Sequence, residues 1–206
     1  MRQFLICVLL FILIFSCKEN KQDIPITDNN ETTNSHKVIK KKFIDLFKSN
    51  QNHISNGFDF PIGKLDTSGY YNAQKFQENN HLGEDWNGVR GGNSDLGDPI
   101  YAIANGYANQ VKDYGGGWGN VIRIIHLHKG QLYESIYAHC DTTLIEESNF
   151  VKKGTKIATI GNCNGIYLAH LHFEIRDSLL MDIGSGYSNK TKGYLNPTKF
   201  INKNRE

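Results

Sequence analysis

The chain has 206 residues, and its 23 basic and 21 acidic residues leave a formal charge of +2. With 39% hydrophobic and 21% charged residues, the composition is that of a globular protein with a sizeable core. Lysines and acids are mixed along the chain, which argues against the basic stripe that nucleic-acid binding needs. We therefore expect one folded domain and no nucleic-acid partner.

Residues 1–17 have the pattern of an export signal. A short basic start precedes an apolar run over residues 4–15, too short for the about 20 residues that cross a bilayer. The run ends in the sequence IFSC, which resembles a bacterial lipoprotein signal in which Cys17 is lipidated and becomes the first mature residue. Several acyl chains on Cys17 would anchor the protein at a membrane surface. The alternatives are a simple secretory signal and an uncleaved anchor helix.

Two segments separate this signal from the main domain. Residues 18–36 are polar and poor in large apolar groups, which predicts a flexible tether. Residues 37–57 predict a helical lead-in, because apolar residues recur at helical spacing from about Val38 to Ser49. We expect this short helix to pack against the domain rather than to bind a membrane.

Residues 58–206 predict a mostly β domain, an antiparallel sheet or sandwich. Short apolar runs rich in β-branched residues alternate with glycine-containing turns, and no long amphipathic pattern interrupts them. The predicted strands are residues 100–104, 121–125, 132–138, 156–160 and 171–176. Cys140 and Cys163 lie within this domain, where a disulfide and two buried thiols are equally compatible with the sequence.

Histidine-containing motifs are the chemical features of the domain. His170 and His172 stand two apart on a predicted strand, so both rings point to the same face, as two ligands of a metal ion would. His126 and His128 have the same spacing, but the lysine and glycine after them indicate a hairpin turn near solvent, so we interpret them as structural or exposed. The upstream pair His81 and Asp85 is a weak signal by itself and is predicted on a loop or strand end.

Taken in order, these motifs resemble those of the lysostaphin-type zinc peptidoglycan endopeptidases, peptidase family M23. That family has a His-x-x-x-Asp motif, then Tyr-Ala-His, then His-Leu-His-Phe-Glu. This chain has HLGED at residues 81–85, YAH at 137–139 and HLHFE at 170–174. Connecting segments such as GDPIYA at 97–102 match as well, and the resemblance extends from about Phe58 to Ile201. It departs from the family at Cys140 and at NCNG, residues 162–165.

The resemblance implies a hydrolase of the bacterial cell envelope with one catalytic zinc ion. His81, Asp85 and His172 would bind zinc, while His139 and His170 would act as general base and oxyanion donor in an order that the sequence leaves open. The substrate would be peptide cross-links of peptidoglycan. The alternative is a non-catalytic member that regulates other wall hydrolases. Such members lack some ligands, whereas this chain keeps all five residues.

Overall fold

The computed structural model of the protein describes residues 29–205, of which residues 29–36 are described as backbone only. The predicted export signal, Cys17 and the first part of the tether therefore lie outside the described residues. Within the described part, none of the helices is long and apolar enough to cross a membrane. Helix α1 spans Asn29–Lys48 and helix α2 spans Pro197–Asn204. Three short helical turns lie at Gln51–His53, Gly63–Thr67 and Glu78–Asn80.

Helix α1 begins earlier than the sequence pattern predicts. It starts at Asn29 instead of near Val38, so residues 29–36, which we assigned to the flexible tether, have a helical backbone. The pattern missed this first part of the helix because residues 29–36 are polar and show no apolar periodicity. The second half packs as expected. Phe43 and Phe47 are buried in a cluster with Ile125, Leu127, Leu132 and Leu179 of the sheet domain.

The described residues form ten strands in one antiparallel sheet system. Their bounds in chain order are β1 Tyr70–Gln74, β2 Glu84–Gly88, β3 Pro99–Tyr101, β4 Gly106–Asp113, β5 Asn120–His128, β6 Gln131–Thr143, β7 Phe150–Val151, β8 Lys156–Ile160, β9 Leu171–Arg176 and β10 Tyr194–Leu195. The main order is β1-β2-β9-β6-β5-β4-β7, with β10 paired to β9 and β8 pairing both β3 and β6. The expectation of a mostly β, antiparallel domain with an N-terminal helix is confirmed.

The β5–β6 hairpin shows how the sequence produces the longest strand pair. Lys129 and Gly130 both have positive φ, 48° and 79°, and form a two-residue turn between His128 and Gln131. Such a turn matches the right-handed twist of the flanking strands, and glycine meets its conformational demand. The predicted runs 121–125 and 132–138 lie within β5 and β6, and 156–160 and 171–176 coincide with β8 and β9. The predicted run 100–104 is a strand only at residues 100 and 101, where β3 ends.

Two pairs of polar residues on the strands are buried. His126 and His128 are buried, so they are structural and not exposed at the turn. Glu174 and Arg176, which alternate on β9, are both fully buried. Their strand β9 lies between β2 and β6, where neighbouring strands cover both edges. The cysteines of the domain, Cys140 and Cys163, are buried free thiols, which decides between the two alternatives left open.

The main apolar core lies on the side of the sheet that includes Phe58, Ile100, Ile122, Tyr137 and Phe173, all fully buried. Alternate residues of β9 point to the opposite side, so that Leu171 and Phe173 enter this core while His172 and Glu174 face away from it. The polar side chains of the candidate site are therefore held on a strand whose other side is anchored by core packing.

Candidate metal centre and cleft

Strand register brings the candidate residues together at the middle of the sheet. Asp85 on β2 is directly opposite His172 on β9, and His172 is in turn opposite Ala138 on β6. His139 follows Ala138, and His81 precedes β2 and forms an isolated bridge with Tyr187. The three motifs are thus far apart in the chain and adjacent across three neighbouring strands.

The side chains of His81, Asp85 and His172 converge on one point. Nδ1 of His172 is 2.9 Å from Oδ1 of Asp85 and 3.0 Å from Nε2 of His81, and this Nε2 is 3.4 Å from Oδ1 of Asp85. Among the histidine, cysteine and acidic side chains of the described residues, these three have ligand atoms close enough together to hold a metal ion. His81 is fully buried and His172 almost so.

The electrostatics of the group favour a bound cation. Burial alone would raise the pKa of Asp85, but hydrogen bonds with His172 and His81 hold that pKa well below its usual range. Burial alone would lower the pKa of His172, but hydrogen bonds with Asp85 and Glu174 raise it to about 9. The carboxylate is thus ionised and the neighbouring ring retains a proton, whose place a metal ion can take.

The donor set fits zinc. Tetrahedral zinc takes histidine nitrogen and carboxylate oxygen at about 2.0–2.2 Å, which separates ligand atoms by roughly 3.3 Å. The three donor–donor distances, 2.9, 3.0 and 3.4 Å, are close to that separation. Two histidines and one aspartate also match the three-ligand composition of catalytic zinc sites, which keep a fourth position for water. His172 has a further partner, since its Nε2 lies 3.1 Å from Oε1 of Glu174.

His139 lies beside the group in a constrained backbone. Its φ of 59° is in the left-handed region, which a side chain adopts only where the surroundings enforce it. A Cβ on Gly161 would collide with the carbonyl oxygen of His139, so only glycine fits at position 161. Nδ1 of His139 lies 3.3 Å from the carbonyl oxygen of Trp118 and 3.3 Å from Sγ of Cys163, whose thiol donates to the Gly117 carbonyl at 3.4 Å.

These contacts define the protonation of the His139 ring. A carbonyl can only accept, so Nδ1–H donates to Trp118 and Nε2 carries the lone pair. Burial, followed by the charges of His172 and His170, lowers the pKa of His139 to about 3, which keeps the ring neutral. His170 faces it with the ring centroids 4.7 Å apart. Nδ1 of His170 donates to the Leu168 carbonyl at 2.8 Å, and its Nε2 is 3.9 Å from Oδ1 of Asp85.

An open cleft is lined by His139, His170 and His172. It is bounded by the aromatic side chains of Trp118, Tyr167 and Tyr187 and by the backbone around Gly117 and Gly186. Tyr167 and Tyr187 carry no signal in the sequence that would place them at a site. They stand in loops without periodicity, and only their half-exposed positions beside the histidines reveal them.

Comparison with known proteins supports the fold and identifies the family. Residues 80–189, slightly more than half of the chain, match the description "Peptidase family M23". The chain belongs to peptidase family M23. In fold, this M23 domain resembles the antimicrobial peptidase lysostaphin of Staphylococcus simulans, with a TM-score of 0.52, 18% identity and coverage of 73% of this chain and 55% of that chain.

Two relatives of this M23 protein carry names that bear on function. The "Lipoprotein NlpD" of Yersinia enterocolitica is 46% identical over 80 residues, which cover 39% of this chain and 78% of the relative. The "Murein hydrolase activator NlpD" of Salmonella typhimurium is 36% identical over 116 residues, which cover 53% of this chain and 30% of the relative. The chain thus spans less than a third of the length of the Salmonella relative.

Proposed function

We propose that this M23 protein is a zinc-dependent endopeptidase that hydrolyses peptide cross-links of bacterial peptidoglycan. The observation that carries the proposal is the convergence of His81, Asp85 and His172 next to an open cleft, which is lined by His172, His139 and His170. The proposal treats the first three residues as zinc ligands and the last two as catalytic residues. When bound, zinc supplies a lowered pKa for a coordinated water and polarises the scissile carbonyl.

The protein's own groups divide the proton chemistry between them. The neutral ring of His139, held by the Trp118 carbonyl, presents the lone pair of Nε2, so we assign it the role of proton acceptor. His170 is held by the Leu168 carbonyl with Nε2 near Asp85, and in its protonated form it donates a hydrogen bond to the developing oxyanion. The aromatic walls formed by Trp118, Tyr167 and Tyr187 orient the peptide and limit the access of water.

The second candidate function is that of a regulator of other wall hydrolases. The observation that favours it is the printed name of the Salmonella relative, a murein hydrolase activator. The retained set of five metal-site residues favours hydrolysis, because a binding protein has no need of two unliganded histidines held by backbone carbonyls. In both cases we propose an exported lipoprotein that is anchored through Cys17 and faces peptidoglycan, in agreement with the name of the Yersinia relative.

Digestion of purified peptidoglycan distinguishes the two functions. Zinc-loaded protein is expected to release peptide fragments identifiable by mass, and both a chelator and His172→Ala are expected to abolish their release. Fragments that persist in the His172→Ala reaction would refute the zinc mechanism. If the zinc-loaded protein releases nothing but accelerates cleavage by a separate wall hydrolase, the regulatory function replaces the enzymatic one.

A further inference from the structure

Two buried arginine–glutamate pairs lie side by side on the face of the sheet that carries the candidate metal centre. Arg123 on β5 donates from Nε and Nη2 to Glu134 on β6, at 3.1 and 2.8 Å. Arg176 on β9 donates from Nε to Glu174 at 2.7 Å. Glu134, Glu174 and Arg176 are fully buried and Arg123 nearly so. Burying four charged side chains is costly, and a hydrophobic replacement is often no less stable, so stability alone is a weak reason for this arrangement.

One of the two pairs reaches the metal centre. Oε1 of Glu174 is 3.1 Å from Nε2 of His172, and its Oε2 accepts from Arg176. The carboxylate therefore holds the Nε2–H of His172 and turns Nδ1 towards His81 and Asp85. A carboxylate on the outer nitrogen of a ligating histidine fixes both the tautomer and the ring orientation.

The same arginine also holds a wall of the cleft. Its Nη1 donates to the carbonyls of Met181 and Asp182, at 3.4 and 3.0 Å, and its Nη2 donates to that of Ile183 at 3.2 Å. The chain then enters the cleft wall at residues 184–187, where the indole Nε1–H of Trp118 donates to the Gly184 carbonyl at 3.0 Å. The guanidinium lies 4.7 Å from the centroid of the Tyr194 ring, which closes its remaining face.

We propose that Arg176 is a positioning residue that couples the ring orientation of His172, through Glu174, to the cleft wall at residues 184–187. Arginine suits this role because its planar fork binds a carboxylate and several carbonyls at once, which a lysine ammonium cannot do from one place. The inference rests on the zinc site of the proposed function, and it does not require that the protein hydrolyse peptidoglycan.

Arg123 provides the matched control. Like Arg176, it is a buried arginine paired with a buried glutamate, and it also donates to the Met181 carbonyl, at 2.8 Å. Among the described residues, however, neither Arg123 nor Glu134 is hydrogen-bonded to His172. Arg176→Met and Arg123→Met each remove the arginine partner of one buried glutamate, so both are expected to lower the free energy of unfolding. A purely structural role of Arg176 predicts that the two variants also behave alike in every other respect.

The test measures zinc affinity by competition with a chelator and follows the indole N–H resonance of Trp118 by NMR. Arg176→Met is expected to weaken zinc binding about 10–100-fold and to shift or broaden that resonance. Arg123→Met is expected to bind zinc as the unmodified protein does and to leave the resonance in place. The chain has 2 tryptophans, so the indole signals can be assigned by a single Trp86→Phe substitution.

The zinc affinities and the Trp118 signals of the variants decide between the two roles of Arg176. Equal zinc affinity and equal Trp118 signals in the two methionine variants would overturn the inference. If Arg176→Met does not fold, the pair Arg176→Lys and Arg123→Lys replaces it, with the same expected difference in zinc affinity. If the unmodified protein binds no zinc, both the inference and the proposed function fail. If it binds zinc but cleaves no peptidoglycan, the proposed hydrolysis fails while the difference between the variants still tests the role of Arg176.

Discussion

At the residue scale, the five site residues fall into two groups that differ in what their side chains contact. Nδ1 of His172 and Nε2 of His81 face each other and Asp85, whereas His139 and His170 direct Nδ1–H to backbone carbonyls. The alternation of His170 and His172 on one strand therefore gives neighbouring rings with different proposed roles, zinc ligand for one and proton or oxyanion chemistry for the other.

Substitution of His139 tests this division. His139→Ala is expected to bind zinc as the unmodified protein does and to lose about 10²–10⁴-fold in turnover, because it removes a proton acceptor but no ligand. Metal content and peptidoglycan turnover are measured on the same preparation. His172→Ala serves as the contrast and is expected to lose both. Loss of zinc from His139→Ala would show that the ring is a ligand and that the division is wrong.

At the element scale, strand β9 organises the molecule, since it carries two site histidines on one side and core residues on the other. The run 171–176 was predictable because its apolar positions alternate with polar ones. Strand β2 was not predicted, although it carries Asp85. Its sequence EDWNG contains little that favours a strand, and its extended form comes from pairing with β1 and β9. Tertiary pairing here overrides weak local propensity.

Helix α1 is integrated with the sheet domain through two phenylalanines. Phe47 is fully buried against the sheet, with its ring centroid 5.7 Å from that of Phe150. We expect Phe47→Ala to lower the free energy of unfolding by about 3–5 kcal/mol, since it removes a buried ring and leaves a cavity. Urea denaturation measures the change.

The control for this prediction lies on the same helix. Val38 is 62% exposed, and Val38→Ala is expected to change stability by less than about 0.5 kcal/mol. If Phe47→Ala were equally neutral, the helix would not be part of the cooperative fold. It would then be free for another role, such as the membrane contact that we consider less favoured.

At the scale of the whole molecule, buried histidines link stability to pH. His126 is fully buried, with Nδ1 donating to the Asn105 carbonyl and Nε2 2.8 Å from the Ser135 hydroxyl. Burial lowers the pKa of His126 from 6.5 to about 4. Between these values the unfolded chain binds a proton that the folded one does not. The free energy of unfolding is therefore fully retained above pH 6.5 and falls as the pH drops towards 4, by roughly 3 kcal/mol for this one group.

Denaturation at a series of pH values tests this linkage. Between pH 6.5 and 4, the free energy of unfolding of His126→Gln is expected to fall less steeply with pH than that of the unmodified protein. The difference in slope should correspond to about one bound proton. Above pH 7, His126 is unprotonated in both the folded and the unfolded chain. The stabilities of the unmodified protein and of His126→Gln should therefore differ by a constant amount there, which is the internal control. Parallel curves across the whole range would show that His126 does not carry the linkage.

The proposed anchor is also a property of the whole molecule, because it sets where the cleft can act. Cys17→Ala is expected to move the protein from the membrane fraction to the soluble exported fraction, since several acyl chains are lost at once. Cys7→Ala is the matched control, because Cys7 lies inside the predicted signal and is expected to leave with it. Fractionation and labelling with a fatty acid measure the outcome. Membrane association that survives Cys17→Ala would favour an uncleaved anchor helix.

The sequence by itself determined the fold class, the family resemblance and the order of the three histidine motifs. These depend on local patterns: strand alternation, glycine turns and residue spacing, all of which are written along the chain. Only the tertiary structure decided that Asp85, His172 and His139 are neighbours, because adjacency across β2, β9 and β6 depends on strand register between distant segments. It also decided that His126 and Arg176 are buried and that Tyr167 and Tyr187 border the cleft, since burial is set by neighbours that a linear pattern does not contain.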